Sequence, residues 1–364
     1  MGAELPVLLA VCAVAYANGA NDSFKGVATL YGCGAASYRT ALLWAVGTTL
    51  AGSLVAAFIS EGLIKAFSGA GLVPAQVLAD PSFITAVALG AALTVFATAL
   101  AGIPISTTHA LTGALAGAGL VAAGGALDAG VLGGTFFLPL ALSPLISMTL
   151  VALLFPALRL LTRQVGLTQT SCICIGTMQS VSAGEGALVL QQVAFAGEAD
   201  DCAPAVPASV WKIDIAPLLR RLHFVSAGAV SFARGANDAP KIVGVALAAQ
   251  AFELEASIVA IAAMMALGGL FHSRRIARTM ATRILPFNEA EGTLANLVTS
   301  GLVISASLSG LPVSTTHVSV SSLFGLGAAK KELHWGVAGG IALSWLLTLP
   351  AAMVSSAAIY FLIA

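Results

Sequence analysis

The sequence predicts an all-α polytopic membrane protein built from two inverted repeats with broken helices and helical hairpins. Three observations carry that prediction. Apolar residues make up 58% of the 364 and charged residues only 9%, against about a quarter charged in a soluble domain. Several apolar runs are long enough to span a bilayer. Two polar motifs, Gly-Ala-Asn-Asp and Pro-x-Ser-Thr-Thr-His, each occur twice and in the same order. Sparse aromatics argue against an outer-membrane barrel of alternating strands. The 38 glycines suit helices whose backbones approach closely. A formal net charge of zero offers no basic footprint for nucleic acid.

Taken in order, residues 5–34 are apolar at both ends and interrupted by Gly19-Ala20-Asn21-Asp22 and Lys25. This stretch is long enough for two half-helices end to end. Glu4 is the only charge before it and no cleavage site leads into a soluble domain, so it reads as a retained membrane segment, not a signal peptide. A clean span covers 40–60, and a loop carries Glu61, Lys65, Asp80 and Pro81. Residues 83–123 are too long for one crossing and break at Pro104-Ile105-Ser106-Thr107-Thr108-His109, which predicts a helical hairpin. A further span, 127–158, bends near Pro139 and Pro144 and ends at Arg159 and Arg163.

Residues 166–217 turn polar, with Glu185, Glu198, Asp200, Asp201, Lys212 and Asp214 among prolines and glycines, and read as a water-exposed linker of open fold. The second half then repeats the first. A broken segment, 222–250, carries Gly235-Ala236-Asn237-Asp238 and Lys241. A span follows at 256–271, and a basic loop holds Arg274, Arg275, Arg278 and Arg283. A hairpin over 293–329 breaks at Pro312-Val313-Ser314-Thr315-Thr316-His317, and a last span covers 335–363. The expected units are 1–165, 166–217 and 218–364. Asp22 and Asp238 lie 216 positions apart and His109 and His317 208, a drift that loop lengths explain. Cys12 and Cys33 lie in the first apolar stretch. Cys172, Cys174 and Cys202 lie in the linker, a weak zinc pattern whose plainer reading is incidental thiols in a reducing compartment.

Lys and Arg collect in short cytoplasmic loops. With the N-terminus outside, Arg39, Arg159, Arg163, Lys212, Arg220, Arg221, the 274–283 cluster, Lys330 and Lys331 all fall inside, and only Lys65 falls outside. Both termini are then extracytoplasmic, the linker is cytoplasmic and the repeats are inverted, as in secondary transporters with midplane sites.

The chemistry follows from the motifs. In Pro-x-Ser-Thr-Thr-His, proline ends one helix and Ser or Thr caps the next. Free N–H groups at the dipole's positive end, with hydroxyls beside them, make a site for a tetrahedral oxyanion; the plainer alternative is a capped helix break without a ligand. In Gly-Ala-Asn-Asp, glycine ends a half-helix and frees its carbonyls. With Asn21, Asp22, Asn237 and Asp238 these form an oxygen-only shell for a hard cation, Na⁺ before others. Lys25 and Lys241 sit three residues after the aspartates, placed to pair with them or to reach the anion; a purely structural Asp–Lys pair is the alternative. His109 and His317 read first as packing or hydrogen-bonding residues, and otherwise as donors to substrate or carriers of a coupling proton. Arg234 stands where the first copy has Asn18; it reads as snorkelling or pairing locally, with no assigned role.

On the twin Gly-Ala-Asn-Asp motifs, the twin Pro-[Ile/Val]-Ser-Thr-Thr-His motifs and Ser273-Arg274-Arg275, the chain resembles the inorganic phosphate transporter family over both membrane halves. The resemblance implies a cation-coupled symporter for inorganic phosphate in the inner membrane, forming a homodimer, with both termini outside. Asn21, Asp22, Asn237 and Asp238 match positions associated with cation and phosphate. Ser106, Thr107, Thr108, Ser314, Thr315 and Thr316 match those cradling the anion. Some members resemble sulfate permeases, so another oxyanion stays open, as does an uncoupled anion channel. With no nucleophile–base pair and no nucleotide-binding loop, the chain is expected to be neither an enzyme nor an ATP-driven pump, and to need no cofactor beyond coupling Na⁺ or H⁺.

Overall fold

A computed structural model describes residues 4–165, 171–181, 188–198, 208–249 and 253–364. The first half opens with α1 (Glu4–Asp22), a 3₁₀ turn (Ser23–Val27) and α2 (Ala28–Gly32). It continues through α3 (Tyr38–Ile59), α4 (Glu61–Phe67), α5 (Ala75–Leu78), α6 (Pro81–Ala101) and α7 (Thr107–Ala123). After α8 (Ala129–Val131), a π-helical turn (Leu132–Phe137) leads into α9 (Leu138–Val165). The second half holds α10 (Ile215–Ala248), α11 (Leu254–His272), α12 (Arg274–Arg278), α13 (Glu289–Leu308), α14 (Thr315–Lys330) and α15 (Trp335–Ile363). The membrane part is thus all helical, as its composition predicts. Seven of the described helical segments are long and apolar enough to cross a bilayer. Exposed Leu153 on α9 and Leu346 and Phe361 on α15 give it a surface suited to lipid rather than water.

The segment between the halves contributes a three-stranded antiparallel sheet in the order β2-β1-β3, from β1 (Ser171–Val181), β2 (Leu188–Glu198) and β3 (Ala208–Asp214). Ser171 pairs with Glu198 and Cys172 with Asp214, with a bulge between Ile175 and Gly176. The weak zinc pattern falls on Cys172, Cys174 and Cys202, whose side chains lie outside the described residues. The expected basic loop is instead helical: Arg274, Arg275 and Arg278 ride on α12, and Arg283 ends the π-helical turn Thr279–Arg283 that follows.

Both hairpins break as proline and serine require. Gly102 ends α6 at φ 75°, and the Ile103 N–H returns to the Thr98 carbonyl at 3.0 Å. Gly310 follows α13 at φ 66°, and the Leu311 N–H returns to Ala306 at 2.9 Å. Ser106 then caps α7 by accepting the His109 N–H at 3.0 Å, and Ser314 caps α14 by accepting that of His317 at 3.1 Å.

The two Asn-Asp segments differ from expectation and from each other. The first is broken as predicted, although the break falls after the motif: α1 runs through Asp22 before the 3₁₀ turn. The second is not broken, and α10 runs continuously through Gly235, Asp238 and Pro240. A proline at 240 removes the donor that would bond the Ala236 carbonyl. The Ser60 hydroxyl donates to that carbonyl at 3.0 Å instead, so the helix continues without an orphan acceptor.

The motif glycines are also not terminators. A Cβ on Gly19 would lie 1.9 Å from the Met265 carbonyl oxygen, and one on Gly268 would lie 1.9 Å from that of Tyr16. In the matching crossing, a Cβ on Gly235 would lie 2.1 Å from the Thr49 oxygen and one on Gly52 2.0 Å from that of Phe232. Gly19 and Gly235 therefore let α1 close on α11 and α10 close on α3. Each half thus lends its first helix to the other half's second, which brings both motifs to one place.

Candidate functional site

Among the described residues, five buried side chains carry formal charge: Asp22, Lys25, Arg234, Asp238 and Lys241, none more than 3% exposed. All belong to the two Asn-Asp segments, and Asn18 ties these together. Its Nδ2 donates to Asp22 Oδ2 at 2.8 Å and lies 3.5 Å from Asp238 Oδ2.

The hairpin breaks close around these charges, each half reaching into the other. Lys25 Nζ donates to the Asp22 carboxylate, to the Ile105 carbonyl at 2.9 Å and to Thr316 Oγ1 at 2.7 Å. Lys241 Nζ lies 3.2 Å from Asp238 Oδ1 and donates to the Val313 carbonyl at 2.8 Å, to Thr108 Oγ1 at 2.8 Å and to Asn237 Oδ1. Ile105 and Val313 occupy the same motif position, as do Thr108 and Thr316. Each lysine therefore holds the break of its own half and a threonine of the other. The neighbouring threonines stay at home: Thr107 Oγ1 lies 2.8 Å from Asp22 Oδ2, and Thr315 Oγ1 lies 3.1 Å from Asp238 Oδ2.

The carboxamides divide their work. Asn21 clamps the first break, with Nδ2 donating to the Ile105 carbonyl at 2.8 Å and to Asp22 Oδ1 at 2.9 Å. Asn237 turns elsewhere, donating to Ser307 Oγ at 2.8 Å. Ser106 and Ser314 spend their hydroxyl oxygens on helix capping. The histidine rings meet across the halves, centroids 4.3 Å apart, and His317 lies 4.0 Å from the Trp345 ring. His109 Nδ1 is 2.9 Å from Ser106 Oγ. His109 thus packs and hydrogen-bonds, whereas His317 packs with its Nε2 buried and without a hydrogen-bond partner.

The structure thus gathers Asn21, Asp22, Lys25, Thr107, Thr108 and their counterparts Asn237, Asp238, Lys241, Thr315 and Thr316 at one buried centre. One expectation changes, and one alternative is decided. The shell around the carboxylates is rich in oxygen, yet an ammonium sits against each one, so both lysines belong to the shell. Of the two readings of Arg234, pairing holds and snorkelling does not: it is 1% exposed, with Nη1 3.2 Å from Asp22 Oδ1. Arg234 and Asn18 are the members that the motifs do not announce. Superposing the two copies finds them, because a polar side chain four residues before each aspartate is out of place in an apolar helix.

Helical hairpins and one discontinuous helix meeting at a buried charged centre define a polytopic membrane protein. The model of the phosphate transporter family matches residues 18–356, and the chain belongs to that family of transporters. It is 28% identical to a "Probable low-affinity inorganic phosphate transporter" of Rhizobium meliloti, over 98% of this chain and 96% of that protein. It is 27% identical to a protein of the same description from Bacillus subtilis, over 99% and 97%. Among solved structures it is similar to one titled "The sodium-dependent phosphate transporter", with a TM-score of 0.76 and 19% identity, covering 100% of this chain and 99% of that one. That likeness speaks for the fold.

Proposed function

We propose that this chain carries inorganic phosphate across the cytoplasmic membrane as a secondary active symporter, with alternating access about the buried centre. One observation carries the reading: both halves deliver cationic groups and threonine hydroxyls to a single enclosed point, which suits an oxyanion and a rocking motion of one half against the other. Thr107, Thr108, Thr315 and Thr316 are the hydroxyls that turn to the anion when it enters, with Ser106 and Ser314 holding the helix starts behind them. The inverted orientation, the cytoplasmic sheet segment and a homodimer belong to the same reading.

Asp22, Asp238, Asn21 and Asn237 supply hard oxygen donors, and these favour Na⁺ as the coupling ion. A proton is the second reading, and a specific observation favours it: an ammonium already sits against both carboxylates, where a metal ion would have to displace it. Purified protein in proteoliposomes, with Na⁺ and proton gradients imposed separately, tests both. Labelled phosphate should accumulate against its gradient with one of the two ions and not without either. Equilibration without any cation gradient would make the protein a channel. Stronger competition by sulfate than by unlabelled phosphate would change the substrate.

A further inference from the structure

Arg234 combines complete burial with unmade hydrogen bonds. Its Nε, Nη1 and Nη2 are buried and make none, although Nη1 lies 3.2 Å from Asp22 Oδ1. The equivalent position in the first half is Asn18, whose Nδ2 is engaged with the two carboxylates. A guanidinium out of water with its donors unpaired is strongly unfavourable unless an acceptor arrives. Its planar fork matches two oxygens of a tetrahedral oxyanion, a geometry that a lysine cannot offer.

The charges make the same point independently. Three cations, Lys25, Arg234 and Lys241, face two carboxylates, Asp22 and Asp238, which leaves one surplus positive charge. Each lysine has its own aspartate within salt-bridge distance, and Asp22 is shared by Lys25 and Arg234. Arg234 is therefore the surplus cation. A phosphate monoanion, or a dianion accompanied by one coupling cation, brings the centre to zero.

We infer that Arg234 is the residue that recognises the transported oxyanion, its unpaired N–H fork taking two anion oxygens beside Asp22. The identity of that oxyanion as phosphate rests on the function proposed above; the recognition by Arg234 does not.

The test uses the full chain in detergent, reading equilibrium binding of labelled phosphate and melting temperature with and without phosphate. Arg234→Gln should remain folded and, without phosphate, melt no lower than the parent, because the surplus charge is gone. Its phosphate affinity should fall at least about tenfold, the scale of a lost charged hydrogen bond. Arg234→Lys should recover part of the affinity as a point charge without the fork. The inference is overturned if Arg234→Gln binds phosphate unchanged; a lower melting temperature alongside would make Arg234 a brace for Asp22. If the Gln variant does not fold, the Lys variant decides, and parental affinity there removes the fork from recognition. Should the parent bind sulfate or arsenate in preference to phosphate, the proposed function fails, and the same variants are then read with the preferred anion.

Discussion

The two Gly-Ala-Asn-Asp segments share four residues and a lysine, and they fold differently. In the first, the helix stops at Asp22 and a 3₁₀ turn follows; in the second, a helix of 34 residues carries the motif through its interior. Despite this, Lys25 and Lys241 reach equivalent atoms, the carbonyl after proline in the break of their own half and a threonine hydroxyl of the other half. The site is therefore built by where the charges are held rather than by a broken helix at both copies. Where the copies do diverge, at Asn18 and Arg234, the divergence gives the centre one surplus charge. The two half-sites are therefore not equivalent in charge.

The comparison can be broken most severely at the glycines that place both copies. Gly19→Ala and Gly235→Ala should each put a methyl within bonding range of a backbone oxygen, at Met265 and at Thr49. Both variants are expected to lose the folded, monodisperse fraction on size exclusion, and to similar extents. Normal assembly of either one would show that its crossing has room to open.

A smaller effect sharpens the difference in charge. Asp22→Asn leaves Lys25 and Arg234 without their shared carboxylate, whereas Asp238→Asn strands only Lys241. Breaking a buried pair costs about 3–5 kcal/mol. Both variants should lose coupled phosphate uptake, and the melting temperature should fall further for Asp22→Asn. Full uptake by both would remove the carboxylates from transport; the reverse order of stability would place Arg234's partner elsewhere.

The mildest test concerns the unbroken helix alone. Ser60→Ala removes the donor to the carbonyl that Pro240 leaves free, at a cost of about 1–3 kcal/mol. Uptake should persist while the melting temperature falls. In a Pro240→Ala background the same change should cost less, because the substituted alanine restores the helical N–H. Equal losses in both backgrounds would show that the hydroxyl matters for some other reason.

Much of this is readable from local chemistry. Pro104 with Ser106, and Pro312 with Ser314, specify a stop and a cap within six residues, and the structure forms both. The Asp–Lys pairs also follow from a spacing of three on a helix. The second break is absent for a reason no local pattern holds: it depends on whether the acceptor orphaned by Pro240 finds a donor. That donor, Ser60, lies 176 positions away from the carbonyl it serves. The glycines mislead for a related reason, since a glycine that ends a helix and one that admits a neighbour look alike until the neighbour is placed.

The residue order by itself determined that the membrane part is helical, that two polar motifs recur in the same order, and where polar groups interrupt the apolar segments. These properties come from side-chain transfer energies and from bonds made within a few residues. Only the tertiary structure decided that each half's lysine reaches a threonine of the other half's hairpin, that α1 crosses α11 and α10 crosses α3 at the motif glycines, and that Arg234 lies buried at the centre. Those outcomes depend on which helices approach each other, and hydrophobicity is nearly blind to that when every surface is apolar.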